Sequence, residues 1–323
     1  MENKIPTISI LMAVYNNDAY LEQTLKSILS QTYRDFEVII INDFSTDKTS
    51  SILEKYKKED KRFNIINNDS NLGLTKSLNI GLNIAQGQYI ARLDADDIAS
   101  PERLSIQKEF LDNNKEIVCI GSASIIIDEN GKQTGFKKVV SNIDSLKFRM
   151  ILSNQISHPS AIFRGEIIKK IGGYNENYKY AQDFNLWSSL LKAGYKISNI
   201  EKPLIFYRVH NKSISQGGKQ SEAYDCAIKI IRENLSNYIK YTEKDWQTFF
   251  NATHKHSVKT YEDLRIAYNL LDNLKKSYFK KEIISPSGVL EINTYIRWEK
   301  RRIIKLYIRN KLSFIYKLKK LIK

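Results

Sequence analysis

Along the first 130 residues two hydrophobic periods take turns, and few folds tolerate that pattern. Ile8–Val14 (ISILMAV), Phe36–Ile41 (FEVIII), Phe63–Ile66 and Tyr89–Leu93 are short apolar runs, as expected of strands covered on both faces, and Val118–Ile127 adds another. The segments between them keep apolar residues at helical spacing. Tyr20, Leu21, Leu25, Ile28 and Leu29 form one such stripe, and Leu78, Leu82 and Ala85 another within Thr75–Ala85. Thr46–Tyr56 reads as a helix with Asp47 and Thr49 near its start, and Ser100-Pro101-Glu102 reads as a helix start with Ser as the cap. Strand–helix alternation at this spacing predicts an α/β fold built on a mostly parallel sheet with helices on both faces. Sheets of that kind take ligands beyond the carboxyl ends of their strands.

The residues that follow the strands therefore matter most. Tyr15-Asn16-Asn17 follows the first, Asn42-Asp43-Phe44-Ser45-Thr46-Asp47 the second, and Asp94-Ala95-Asp96-Asp97 the fourth. Three polar clusters on one rim suggest a single site. Two carboxylates two residues apart repel unless a cation offsets them, and Mg²⁺ or Mn²⁺ prefers carboxylate together with phosphate oxygens. The pattern suits a metal-bound nucleoside diphosphate; by residue type alone it equally suits a solvated acidic turn ahead of the helix at Pro101. Asp43 suits a base edge or a ribose hydroxyl, or a plain turn. No GxGxxG and no GxxxxGK[ST] follows the first strand, which argues against a dinucleotide fold and a P-loop NTPase.

Taken in order, ISILMAVYNNDAYLEQTLKSILSQTYRDFEVIIINDFSTD, NLGLTKSLNIGLNIAQGQYIARLDADDIASPERL, ISHPSAIFR, IGGYNENYKYAQDFNLWSSLLKAGY and YRVHNKSIS resemble the inverting glycosyltransferases of family 2, whose nucleotide-sugar-binding, Rossmann-like fold is called GT-A. The resemblance spans roughly residues 6–215. It implies that Ala13, Tyr15 and Asn16 line the base and ribose and that Asp43 contacts the base. Lys76 and Asn79 would lie near the nucleotide or donor, and Ala95 within the donor site. Asp94 would hold ribose or sugar hydroxyls. Asp96 would bind the divalent metal, Mn²⁺ or Mg²⁺, with Asp94, Asp97 and His210 as further candidate ligands. Asp183 matches the general base. Arg208 and His210 match a loop that closes on the diphosphate, with Ser213 and Ser215 nearby. Two positions depart from the family pattern. Phe44 stands where glycine is frequent and should resist a positive φ, so that this turn is expected to differ. Gln182 stands where glutamate is frequent, which removes a negative charge beside Asp183 and should ease its ionisation.

The implied reaction fits the residue chemistry. A leaving nucleoside diphosphate gains charge, which a metal on Asp96 together with Arg208 and His210 would stabilise. Asp183 would take the proton of the attacking hydroxyl, and attack from the opposite face inverts the anomeric centre. By pattern alone Asp183 is also ordinary decoration of a helix N-terminus. His158-Pro159-Ser160 suits either positioning of substrate or a core histidine; His254 and His256 read as surface residues, Trp187 and Cys119 as core. A non-catalytic binding subunit on the same fold and a nucleotidyltransferase are the competing functions.

Residues 1–220 read as the catalytic domain and 221–323 as a helical extension, rich in Tyr, Lys and Asn, with Gly288 its only glycine. The net charge is +15, and Arg297–Lys323 supplies +10 of it. There Ile304, Ile308, Leu312, Ile315, Leu318 and Ile322 recur at three or four, with Tyr307, Phe314 and Leu321 beside them. A basic amphipathic helix of this kind suits an anionic membrane surface, or packs on the catalytic domain. Nucleic acid is not expected, since no helix-turn-helix, RNA-binding or zinc signature accompanies the charge. Two distant cysteines without CxxC exclude a disulfide framework, and no apolar run approaches membrane-spanning length. The expected setting is cytoplasmic, peripheral at the inner face of the membrane. The expected partners are a nucleotide-sugar donor and a glycan or lipid-linked acceptor; oligomeric state is not legible.

Overall fold

A computed structural model describes residues 5–210 and 220–321, with side chains up to residue 313 in the last helix. The chain begins with β1 (Ile8–Val14), α1 (Leu21–Leu29), β2 (Phe36–Asn42), α2 (Thr49–Glu59), β3 (Phe63–Asn67), α3 (Leu74–Ile84) and β4 (Tyr89–Arg92). It continues with β5 (Ile98–Ala99), α4 (Arg103–Asn113), β6 (Ile117–Ile127), β7 (Gln133–Lys137), α5 (Ile143–Met150), β8 (Ile162–Arg164), α6 (Gly165–Lys170), α7 (Gln182–Lys192) and β9 (Lys196–Arg208). Four helices follow: α8 (Gln220–Ser236), α9 (Glu243–Thr253), α10 (Tyr261–Lys281) and α11 (Pro286–Leu321).

The strands order as β3-β2-β1-β4-β8-β6-β9-β5, with β7 on β6. β3, β2, β1 and β4 are parallel throughout, as is β6 with β9, while β8, β7 and β5 pair antiparallel. The register pairs Val14 with Asn42, so β1 and β2 end level and their exit loops meet. The strand pleat explains the layers. Ile8, Ile10, Met12 and Val14 of β1 join Val38 and Ile40 of β2 against Leu21, Leu25, Ile28 and Leu53 of α1 and α2, all buried. The alternate residues Leu11, Ile39 and Ile41 face α3, where Gly81 lets the helix approach; a Cβ there would run into Leu11 Cδ1 and come within 3.3 Å of Ile41. Each such buried aliphatic side chain contributes roughly 1.5–3 kcal/mol.

Helix α4 begins at Arg103, later than the Ser100-Pro101-Glu102 signal predicts, and no side chain caps it. The backbone of Ser100 is already committed: its N–H donates to Leu204 O at 2.9 Å and its carbonyl accepts Gln31 Nε2 at 2.7 Å. Helix α2 begins at Thr49, whose N–H donates to Asp47 Oδ1 at 2.9 Å.

The described residues divide into two compact units, one up to Ile230 and one from Ile231. Within the second, capping boxes start two helices: Thr242 with Asp245 at α9 and Thr260 with Asp263 at α10. Helix α11 buries Ile292, Ile296 and Ile303 and leaves Leu290, Trp298, Ile304, Ile308 and Leu312 exposed. The stripe Ile304–Ile308–Leu312 is thus exposed among the described residues. Phe314, Ile315, Leu318, Leu321 and Ile322 of the same pattern lie outside the described side chains.

Candidate active site

The loops after β1, β2 and β3 are laced into one rim. Asn16 takes φ 47°, accepts the Thr46 N–H on Oδ1 at 2.8 Å and donates its own N–H to Ser45 Oγ at 3.0 Å. Asp43 is buried. Its Oδ1 accepts Asn68 Nδ2 and the Leu72 N–H, and its Oδ2 the Gly73 N–H, each at 2.8 Å. Charge-assisted bonds of this sort are the strong ones, and here they fold the loop that launches α3. Phe44 has φ 65°, so the turn keeps a positive φ in spite of its side chain, contrary to the sequence expectation. The flanking bonds fix the backbone, and Phe44 keeps its ring largely in solvent, 51% exposed. Ala13 sits in β1, Tyr15 is exposed on the rim, and Lys76 is exposed on the first turn of α3. Asn79, one turn further, is occupied elsewhere: it accepts the Tyr174 N–H and donates to Tyr174 O and Glu176 Oε1.

The acidic loop after β4 is held by its own backbone. Thr24 Oγ1 lies 2.8 Å from Ala95 O and 2.7 Å from Asp97 O. Asp94 pairs with Arg92 and leaves 32% of its side chain open. Burial lifts its pKa, Arg92 opposes and Asp96 adds to the lift. Asp96 points its Oδ2 at His210 Nε2, 2.9 Å away, and the His210 ring packs on Tyr20 at 4.9 Å. Asp97 is buried; its Oδ1 accepts the Arg208 N–H at 2.8 Å, and among the described residues its Oδ2 has no partner. Burial, then Asp96 and Asp94, push its pKa well above the carboxylate range. Arg208, at the end of β9, is 1% exposed. Its guanidinium donates to Asp96 O, Asp128 O, Glu129 O and Gln23 Oε1, and sits over the Tyr20 ring. Contact with a diphosphate asks it to leave those partners.

Asp183 occupies the second position of α7, just after Ala181, which takes φ 54°. Its Oδ2 accepts Asn154 Nδ2 at 2.7 Å. Burial raises its pKa; the Phe184 N–H, Asn154 and Lys137 pull back, and the charge of Asp94 adds to the rise. Lys137, at the end of β7, is exposed, yet the protein around its ammonium lowers its pKa while Asp183 and Asp97 oppose. Asp183, Asp94, Asp97 and Lys137 therefore share one electrostatic neighbourhood.

A family model described as Glycosyl transferase family 2 matches residues 9–172, half of the chain. The chain belongs to glycosyl transferase family 2. It is 38% identical over 250 residues to an uncharacterized glycosyltransferase of Methanocaldococcus jannaschii, which covers 76% of this chain and 86% of the relative. It is 33% identical over 233 residues to the O-antigen biosynthesis glycosyltransferase WbnJ of Escherichia coli, with 71% and 89% covered. Its fold resembles that of residues 1–349 of S. aureus TarS in complex with UDP (TM-score 0.59, 20% identity, 96% and 91% covered). It also resembles the mannosyltransferase PcManGT of Pyrobaculum calidifontis in complex with GDP-Man and Mn²⁺ (TM-score 0.58, 13% identity, 96% and 88% covered). This family 2 chain is a glycosyltransferase with the GT-A fold.

In this glycosyltransferase Asp94, Asp96, Asp97, Arg208 and His210 form one bonded cluster, and Asp183 lies within electrostatic reach of it. Asn16 and Asp43 form the adjoining rim. Asn79 belongs to the loop 174–176, and Ser213 and Ser215 lie outside the described residues. His158 is core: burial drives its pKa well down, and its Nε2 meets Tyr174 Oη at 2.8 Å. Sequence reasoning missed Arg92, Asn154 and Lys137. Arg92 left a signal, a charge inside the apolar run YIARL that must find partners when buried. Asn154 and Lys137 left none.

Among the described residues no three of His, Cys, Asp and Glu gather into a metal cage. The oxygen donors of Asp96 and Asp94 suit a cation whose shell is completed by substrate phosphates, the usual arrangement for Mg²⁺.

Proposed function

We propose that this enzyme transfers a sugar, with inversion, from a nucleotide-sugar, a UDP-sugar first among them, to a hydroxyl of a glycan or lipid-linked acceptor in surface-polysaccharide synthesis. The observation that carries the reading is the half-buried Asp183 carboxylate, steadied by Asn154 within electrostatic reach of the Asp94–Asp97 loop. Asp183 takes the acceptor proton on a carboxylate oxygen. The rim of Tyr15, Asn16 and the Asp43-held loop receives the nucleoside. His210 orients Asp96, and Arg208 fixes the backbone of the acidic loop from beneath. Asp96 and Asp94 would hold Mn²⁺ or Mg²⁺, which when bound would neutralise charge at the leaving diphosphate. The names of relatives such as WbnJ support the polysaccharide context.

No helix among the described residues is long and apolar enough to cross a membrane. The open face of α11 carries Trp298, Ile304, Ile308 and Leu312 among exposed Arg297, Arg301, Lys305, Arg309 and Lys311. That mixture suits an anionic bilayer surface and supports the reading that the enzyme works at the inner face of the cytoplasmic membrane, on lipid-linked acceptors.

A thermal-shift panel of UDP-, GDP- and dTDP-sugars with Mn²⁺ and with EDTA tests the donor site, because a ligand that binds only the folded state raises Tm. The reading expects a shift with one nucleotide class that EDTA removes. A shift of equal size in EDTA would contradict the role given to the metal, and no shift with any donor would contradict the donor site.

A further inference from the structure

Helix α7 has a second polar face. At about 100° per residue, Asn185 and Ser189 lie roughly 200° and 240° around the helix from Asp183, on its far side. There they line an open cavity of about 430 Å³ together with Asn79 of α3 and the loop Ile171–Glu176, within the roughly 300–1,000 Å³ usual for small-molecule sites. Asn185 is only 8% exposed, and among the described residues no group hydrogen-bonds its carboxamide. That carboxamide is not sealed in the fold; it reaches the open cavity and is available there to a ligand.

The lining says which kind. It holds Asn185 and Asn175, the Ser189 hydroxyl, which already donates to Asn185 O, and Glu176, beside an Asn79 carboxamide committed to Tyr174 and Glu176 and the backbone of Gly172 and Gly173. Both glycines have positive φ, 91° and 71°, and a Cβ on Gly173 would come within 2.9 Å of Asn79 Oδ1. Among the described residues no lysine or arginine lines the cavity, so a phosphate finds no counter-charge there. One carboxylate is too few for a cation. Among the described lining residues Ile171 and Tyr174 are the only apolar or aromatic members, too little for a lipid chain. Groups that both donate and accept match amides and a carboxylate best, and the hydroxyls of a neutral sugar are of that kind. We propose that this cavity is a second carbohydrate site, separate from the reaction centre, which binds one neutral pyranose unit of a glycan. Its use, holding a growing chain away from its reacting end, rests on the glycosyl-transfer reading; the binding itself does not.

The test is saturation-transfer NMR on the full chain with methyl glycosides of glucose, galactose and N-acetylglucosamine, read without turnover. At least one should bind, and bind equally well in Asp96→Ala and Asp183→Asn. Asn185→Leu should weaken it about tenfold or more, with Tm unchanged or raised. Ser189→Leu, which fills the same wall, should weaken it too and gives the reading independently should Asn185→Leu not fold. The proposal is overturned by no binding of any glycoside, by binding lost in Asp96→Ala or Asp183→Asn, which would place the sugar at the reaction centre, or by binding unchanged in the two α7 cavity variants.

Discussion

Asp183 works against its surroundings. Burial favours its protonated form, while the Phe184 N–H, Asn154 and Lys137 favour the charged one. As a base it must be ionised, so kcat/KM should fall on the acid side of a pKa above the ordinary carboxylate value. Asn154→Ala removes a bond that stabilises the charge. Its acid limb should move to higher pH, read from a pH–rate profile; a limb that stays or moves lower contradicts the arrangement. The sign for stability is opposite to that of a salt-bridged acid. Below the unfolded pKa both states are protonated and nothing is lost. As pH rises from there to the folded pKa, the unfolded chain ionises first and the fold loses stability, so Asp183→Asn should be at least as stable as the wild type at neutral pH. The carboxylate itself was legible in AQDFNLW. Its partner was not, because Asn154 lies 29 residues away in a loop whose sequence has no period.

At the scale of elements, Arg208 ties the end of β9 to the acidic loop, to the β6–β7 connection at Asp128 and Glu129, and to Gln23 of α1. Lysine keeps the charge and loses the fork. Arg208→Lys should cost about 3 kcal/mol in urea unfolding, since several bonds to buried groups go unmade; unchanged stability with weaker donor binding would instead make Arg208 a direct phosphate ligand. The parallel strands were readable because apolar runs of strand length, separated by helical stripes, leave little choice. The antiparallel β8, β7 and β5 were not, since two to five residues carry too short a pattern. The Phe44 turn misled for a physical reason. A positive φ costs a non-glycine residue roughly 1–2 kcal/mol, and the neighbouring bonds of Asp43 and of Asn42, whose Oδ1 accepts the Ser45 N–H at 3.2 Å, offset it.

At the scale of the whole molecule, charge and catalysis occupy different parts of the chain. The open face of α11 should bind anionic but not zwitterionic vesicles, with each basic residue near the surface contributing about 1 kcal/mol. Trp298 is the reporter, since Trp187 and Trp246 are buried. Its emission should shift to the blue with anionic vesicles, and Arg297, Arg301, Lys305 and Arg309 all changed to Glu should abolish the shift; equal binding to both vesicle types would contradict it. The sequence showed this charge plainly, but not that the side of α11 carrying Ile292, Ile296 and Ile303 is the one that packs. The measurement that bears most directly on the central claim is nucleoside diphosphate release from the donor that binds, in the wild type and in Asp183→Asn at matched donor saturation. A general base contributes about 10²–10⁴-fold, and the account predicts a fall of that size in the variant; release at the wild-type rate would remove Asp183 from the mechanism.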